Sequence, residues 1–171
     1  MKTAPNEFAA QGSLDEMVAV SAGLRGMAVA LMKIANDMRW LASGPRAGVH
    51  ELRLPANEPR SSIMPGKANP TQQEAMLMVC LQVIGEDSIV AAAGAQGNSE
   101  LNARRPIMIN NVLHSSRILG DMCEKVREFS VEGTALDEAK VSGYVGASLA
   151  LVTPLSPTIA TTRPPRIAQG R

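Results

Sequence analysis

Aromatic residues are nearly absent: one tryptophan, one tyrosine and two phenylalanines in 171 residues. A core without rings must be built from Met, Leu, Val, Ile and Ala, which suits packed helices better than a sheet. Cysteine is scarce too. Cys80 and Cys123 both fall inside apolar helical patterns, without metal-ligand spacing, so they read as buried thiols of a reducing cytosol. No sign of charge dominates: 17 basic residues face 16 acidic ones, a formal net charge of +1. Without a strong overall field, neither a nucleic acid nor a membrane surface is expected as a partner. No stretch resembles a signal peptide, and no run of about 20 uncharged apolar residues is available to span a bilayer. The expectation is a soluble, cytoplasmic chain whose length suits one domain with a real core.

What is present is helical periodicity. Residues 1 to 12 are mixed and read as loop. Ser13 and Glu16 form a capping-box pattern, with Asp15 in the first turn, and Met17, Val20, Leu24, Met27, Leu31, Ile34, Met38 and Leu41 follow at steps of three and four. Such a helix ends at Ser43-Gly44-Pro45 and runs about 40 Å, long for a compact domain of this size. A second helix is expected over roughly 71 to 94, opened by a capping box of Thr71 and Glu74. It is apolar on several faces at once, Leu77, Leu81 and Ile84 on one and Met76, Val79, Val83 and Val90 on others. That requires burial nearly all round, which this chain alone is too short to supply, so other subunits are expected to supply it. A third helix is expected from about Pro106 to Phe129, with Asn110, Asn111, His114, Ser115 and Ser116 as a polar girdle. A fourth starts near Asp137 and is closed by Pro154 and Pro157.

Between the first two helices lies an irregular connection of about 25 residues with five prolines, a length uncommon in a compact domain unless the loop is functional. It contains SSIMPGKANPTQQEAM, residues 61 to 76: two serines, a Pro-Gly turn, a lysine and an asparagine, then a helix start. On their own, a loop serine and a loop lysine read as solvated surface.

The stretch SSIMPGKANPTQQEA resembles the signature loop of the fumarase/aspartase superfamily. MKIANDMRWLASGPR (32 to 46), GNSELN (97 to 102), RPIMINN (105 to 111) and SLALVTPLSPTI (148 to 159) resemble other stretches of that family in the same order. Trp40 and the NPTQ wording are similar to the class II fumarase branch rather than to aspartate ammonia-lyase. The resemblance implies an all-α long-helix bundle completed by oligomerisation, a homotetramer in the family, with sites where subunits meet. It implies reversible hydration of fumarate to L-malate, a small dicarboxylate substrate, and neither cofactor nor metal. By the same resemblance Ser61 is the catalytic base, Lys67 and Asn69 hold a substrate carboxylate beside Ser62, and Glu74 polarises a histidine of another subunit. The residues alone fit Glu74 equally well as the partner of Thr71 in a capping box. His50 and His114 fall on no catalytic position of the family: His50 reads as a loop residue, His114 as a polar contact between helices.

Proton removal beside malate's carboxylate builds a doubly charged aci-carboxylate, so such a site needs a base within reach and cationic or donor groups around the new charge. An ordinary serine is too weak a base and needs preorganised donors to lower its pKa. Pro70 and Thr71 put the start of a helix just beyond Lys67 and Asn69, and its free N–H groups are expected to add to the anion site.

Residues 1 to 159 are expected to form a partial central bundle domain carrying the loop 61 to 70, and 160 to 171 an unrelated disordered tail. The family's catalytic histidine lies in an amino-terminal portion not represented here, so the isolated chain is expected to lack a complete active site. Arg60 and His50 stand at positions where the family has glycine. Two alternatives remain open on the sequence: a non-catalytic helical oligomerisation module, and aspartate ammonia-lyase-like specificity.

Overall fold

The structure, a computed structural model, describes residues 3–57, 64 and 69–148. Helix α1 spans Glu7–Gly12, α2 Asp15–Leu41, α3 Thr71–Gly94, α4 Arg105–Phe129 and α5 Glu138–Ala147. A 3-10 turn covers Val131–Gly133. Two-residue strands β1 (Leu52–Arg53) and β2 (Ala135–Leu136) pair antiparallel, Leu52 opposite Leu136. The chain is all-α.

Helix α3 is the middle member of an antiparallel triplet, packed against α2 on one side and α4 on the other. Its buried positions Gln73, Met76, Cys80, Val83, Glu86, Asp87, Val90 and Ala93 recur at the helical period and face both neighbours. Helix α2 meets it through Ser21, Ala28 and Ala35, three small residues spaced by seven, whose short side chains let the backbones come close. The stripe expected to be the core face of α2 is therefore divided. Leu24 and Leu31 pack against the core, whereas Val20, Met27 and Ile34 are each more than half exposed. On α4, Met108, Val112, Leu119 and Met122 supply the apolar contacts.

The apolar interior comes in two parts. Ala28, Ala35, Met76, Cys80, Val83, Leu119 and Met122 fill one; Val90, Ala93, Met108 and Val112, backed by Leu14, Met17 and Val18, fill the other. Each fully buried Met or Val contributes about 1.5–3 kcal/mol relative to exposure. Met78, Leu81 and Ile89 on α3 remain exposed, as do Ile107, Ile109 and Leu113 on α4. By length and hydropathy α2 and α3 would each suffice to cross a bilayer. Each is nevertheless interrupted by charge, Arg25 and Lys33 in α2, Glu86 and Asp87 in α3.

Several expectations are corrected. Of the stretch read as loop, Glu7–Gly12 is helical, capped by Asn6, whose side chain accepts from the Ala9 N–H at 3.1 Å. Ser13 is the C-cap of α1, and Leu14 takes the N-cap of α2, so no capping box forms there. At α3 the N-cap is Pro70, which puts Thr71 already inside the helix and removes the second capping box. Cys80 is buried, but Cys123 lies on the exposed face of α4. Burial, and next the nearby Cys123, push the Cys80 thiol upward. Helix α5 ends at Ala147, ahead of Pro154 and Pro157; those prolines, the tail 160–171 and the stretch 149–159 lie outside the described residues.

Candidate active site at the start of helix α3

Of the signature loop, Ser61, Ser62 and Lys67 lie outside the described residues. What can be built is the corner they lead into. Asn69 is exposed one step before Pro70, and the Pro70 carbonyl accepts the Glu74 N–H at 3.0 Å, closing the first turn of α3. The helix dipole makes this turn electropositive, a suitable place for Glu74 and for an anion.

Two adjacent residues of α3 fix the corner from two sides. Gln73, only 2% exposed, turns inward, its amide donating to the Ser130 hydroxyl where α4 ends and lying 4.0 Å from the Met38 sulfur. Glu74 points to the rim, half exposed, with its Oε1 3.6 Å from Nη2 of Arg39 in the last turn of α2. Because α2 and α3 are antiparallel, the cation sits at a negative helix end and the anion at a positive one, and the two meet. Both groups are more than a third exposed, so solvent screening leaves the pair worth at most about 1 kcal/mol in stability. The end of α2 is itself fixed: Ser43 donates to the Trp40 carbonyl and accepts from the Val49 N–H, and Glu51 N–H bonds the Leu41 carbonyl.

Neither histidine pairs with Glu74 among the described residues. His50 sits at φ 51°, in the left-handed region that glycine adopts without strain, with Nε2 3.9 Å from Asp137. Asp137 caps α5 through the Lys140 N–H and also faces Arg53 at 3.6 Å. His114 joins a polar layer twelve residues along α3 from Glu74, about 18 Å away. There Glu86, 4% exposed, accepts from Gln82 at 3.0 Å, from the Ser115 hydroxyl and from His114 Nδ1. Beside it Asp87 accepts from Ser21 and pairs with Arg25 at 3.0 Å. Burial pushes the Glu86 carboxyl up, but the bonds from Ser115, Gln82 and His114, with the charge of His114, outweigh it and hold the group below its ordinary value.

A family described as "Lyase" matches residues 1–85. A class II fumarate hydratase of Methanosarcina acetivorans is 66% identical over 98% of this chain and 34% of its own length. A class II fumarase from Schistosoma mansoni superposes with a TM-score of 0.90 at 43% identity, over 93% of this chain and 33% of that one. A Brucella melitensis protein described as fumarate lyase:delta crystallin gives a TM-score of 0.87 at 41% identity, over 95% and 38%. The chain is similar to class II fumarate hydratases along nearly its whole length. It spans about a third of the length of the curated relatives it matches.

The structure brings Asn69 and Glu74 to one helix end and adds Arg39 and Gln73, which the sequence reading did not single out. Glu86, Asp87 and Asn102 were missed as well. A signal was available for the first two: adjacent acids in the middle of an otherwise apolar helix must be exposed or paired, and an all-round-buried helix leaves only pairing.

Proposed function

We propose that this chain carries the loop-and-helix part of a fumarate hydratase site, working in the reversible hydration of fumarate to L-malate. Ser61 is the base, Ser62, Lys67 and Asn69 hold substrate carboxylate, and Glu74 orients an acid supplied by another chain. The observation that carries this reading is the delivery of Asn69 and Glu74 to the electropositive start of α3, directly after SSIMPGK, in a chain 66% identical to a class II fumarate hydratase. Both histidines of this chain are engaged elsewhere, His50 beside Asp137 and His114 on Glu86, so the isolated chain lacks a complete site. The bundle domain runs to residue 159, with 160–171 as a tail outside it. The exposed apolar faces of α2, α3 and α4 are covered in a homotetramer, and the setting is cytoplasmic.

The test is ultraviolet detection of fumarate formed from L-malate. The chain alone is expected to be silent. Combined with the amino- and carboxy-terminal portions of the Methanosarcina relative, it is expected to turn over, and Ser61→Ala to abolish that turnover. Turnover by the chain alone, or turnover indifferent to Ser61→Ala, would overturn the reading. A second reading, a non-catalytic oligomerisation module, is favoured by the same exposed apolar faces; it predicts assembly without turnover in every combination. L-Aspartate offered in place of L-malate separates ammonia-lyase specificity.

A further inference from the structure

The geometry points to Arg39 as a positioning residue that sets the orientation of Glu74, an inference that rests on the role proposed for Glu74 above. Arg39 cannot be explained as a surface charge alone. Its Nη2 lies 3.6 Å from Glu74 Oε1, its Nη1 donates to Asn36 Oδ1 at 3.4 Å, and its Nε is buried without a hydrogen-bond partner. A guanidinium whose planar fork is spread over two partners, with its inner nitrogen shut off from water, holds one pose better than a lysine would. Its backbone sits in the last turn of α2, which the Ser43, Val49 and Glu51 contacts hold in place. Glu74's backbone sits in the first turn of α3, held through its neighbour Gln73. Two fixed backbones and one ion pair bias the carboxylate toward Arg39. Oε1 is turned toward Arg39, and Oε2 is the oxygen left to face an incoming imidazole. A carboxylate that must orient a histidine supplied by another chain cannot be aligned by that histidine beforehand, so alignment from within its own chain has a use.

The test has two parts. In the intact chain, the Glu74 carboxyl carbon is followed by NMR at about pH 7 in wild type, Arg39→Gln and Arg39→Lys, with circular dichroism confirming the helices. Its resonance is expected to move in Arg39→Gln and to move less in Arg39→Lys; a resonance unmoved in Arg39→Gln overturns the inference. Should Arg39→Gln fail to fold, Arg39→Lys carries the same test, since the displaced charge must still move the signal. In the chain combined with the amino- and carboxy-terminal portions of the Methanosarcina relative, Arg39→Gln is expected to lower kcat about tenfold with KM within about twofold, and Arg39→Lys to recover only part of it. Unchanged kcat in Arg39→Gln, in an assembly that turns over, also overturns it. A complemented wild type that does not turn over, while the Glu74 resonance still responds to Arg39, sinks the hydratase reading and supports Arg39 as the group that orients Glu74.

Discussion

Ser21 of α2 donates its hydroxyl to Asp87 of α3 at 2.7 Å, both side chains buried and sixty-six positions apart in the chain. This bond lies in the layer that also holds Glu86 and Ser115, among the polar groups between the two apolar parts of the interior. Packing alone would let α2 slide along α3, since Ser21, Ala28 and Ala35 are all small. A buried donor and acceptor match at one register only, and any slip leaves both unsatisfied.

Asp87→Ala is therefore expected to lower unfolding free energy by about 2 kcal/mol, mostly through the stranded Ser21 hydroxyl. Arg25, half exposed, is solvated once its partner goes and adds little. Ser21→Ala/Asp87→Ala should cost less than the sum of the single changes, by about 1 kcal/mol, in a double-mutant cycle read by urea denaturation. Additive costs would mean the bond does not form in solution.

Glu86 makes stability depend on acidity. Its folded-state pKa lies below the ordinary value of 4.5, so the unfolded chain binds more protons in the acid range than the folded one. The contribution is fully present above about pH 4.5 and is lost as pH falls through the lower folded value. Glu86→Gln keeps the volume and removes the charge. At about pH 7 the variant is expected to unfold at lower urea than wild type, and by about pH 3 the gap should narrow. A gap that stays constant across that range would show that Glu86 does not titrate below its unfolded value.

Asn102, fully buried in the turn after α3, closes three backbone groups with one side chain. Its amide donates to the Ala93 and Gly94 carbonyls at 3.0 and 3.3 Å, and its carbonyl accepts the Arg104 N–H at 2.9 Å. The end of α3 and the start of α4 thus share one cap. Asn102→Ala is expected to cost about 2–3 kcal/mol in denaturant unfolding, and Asn102→Asp to recover only the Arg104 bond. Equal stability of wild type and Asn102→Ala would remove this role.

The long helices were legible because their signals are local. Steps of three and four mark α2, Pro106 marks the first turn of α4, and the all-round apolar character of α3 marks it as the central helix. The misses share a different cause. Pairing of Leu52 with Leu136 joins residues far apart in the chain, which no local pattern encodes. Ser13 and Thr71 both stand three residues before a glutamate, yet the preceding chain decides the cap: α1 claims Ser13, and Pro70 ends the loop one residue early. Cys123 has an apolar neighbourhood in sequence but sits on the open side of α4. At the candidate site, Ser61, Lys67, Asn69 and Glu74 came only as what the resemblance implies, and Ser61 and Lys67 lie outside the described residues. Arg39 and Gln73 became visible only when the end of α2 met the start of α3, because an antiparallel crossing is a tertiary fact.

Gly85 lies midway along α3, where an added Cβ would meet nothing within 4 Å, and Gly23 and Gly26 on α2 are equally open. Glycine in an exposed helix interior costs about 1 kcal/mol against alanine, so its presence in the bundle's long helices calls for a reason. Exposed Met78, Leu81 and Ile89 lie on the same helix, which fits close approach by a further helix of another copy. Two substitutions separate the possibilities. Gly85→Ala is expected to raise the stability of the dissociated chain by about 0.5–1 kcal/mol, through helix propensity alone. Gly85→Leu leaves the chain's own fold untouched but puts four carbons where a neighbouring backbone would run. It is expected to shift sedimentation toward smaller species while helicity by circular dichroism stays at the wild-type level. A Gly85→Leu chain that sediments as wild type does would show that no other copy packs against this face.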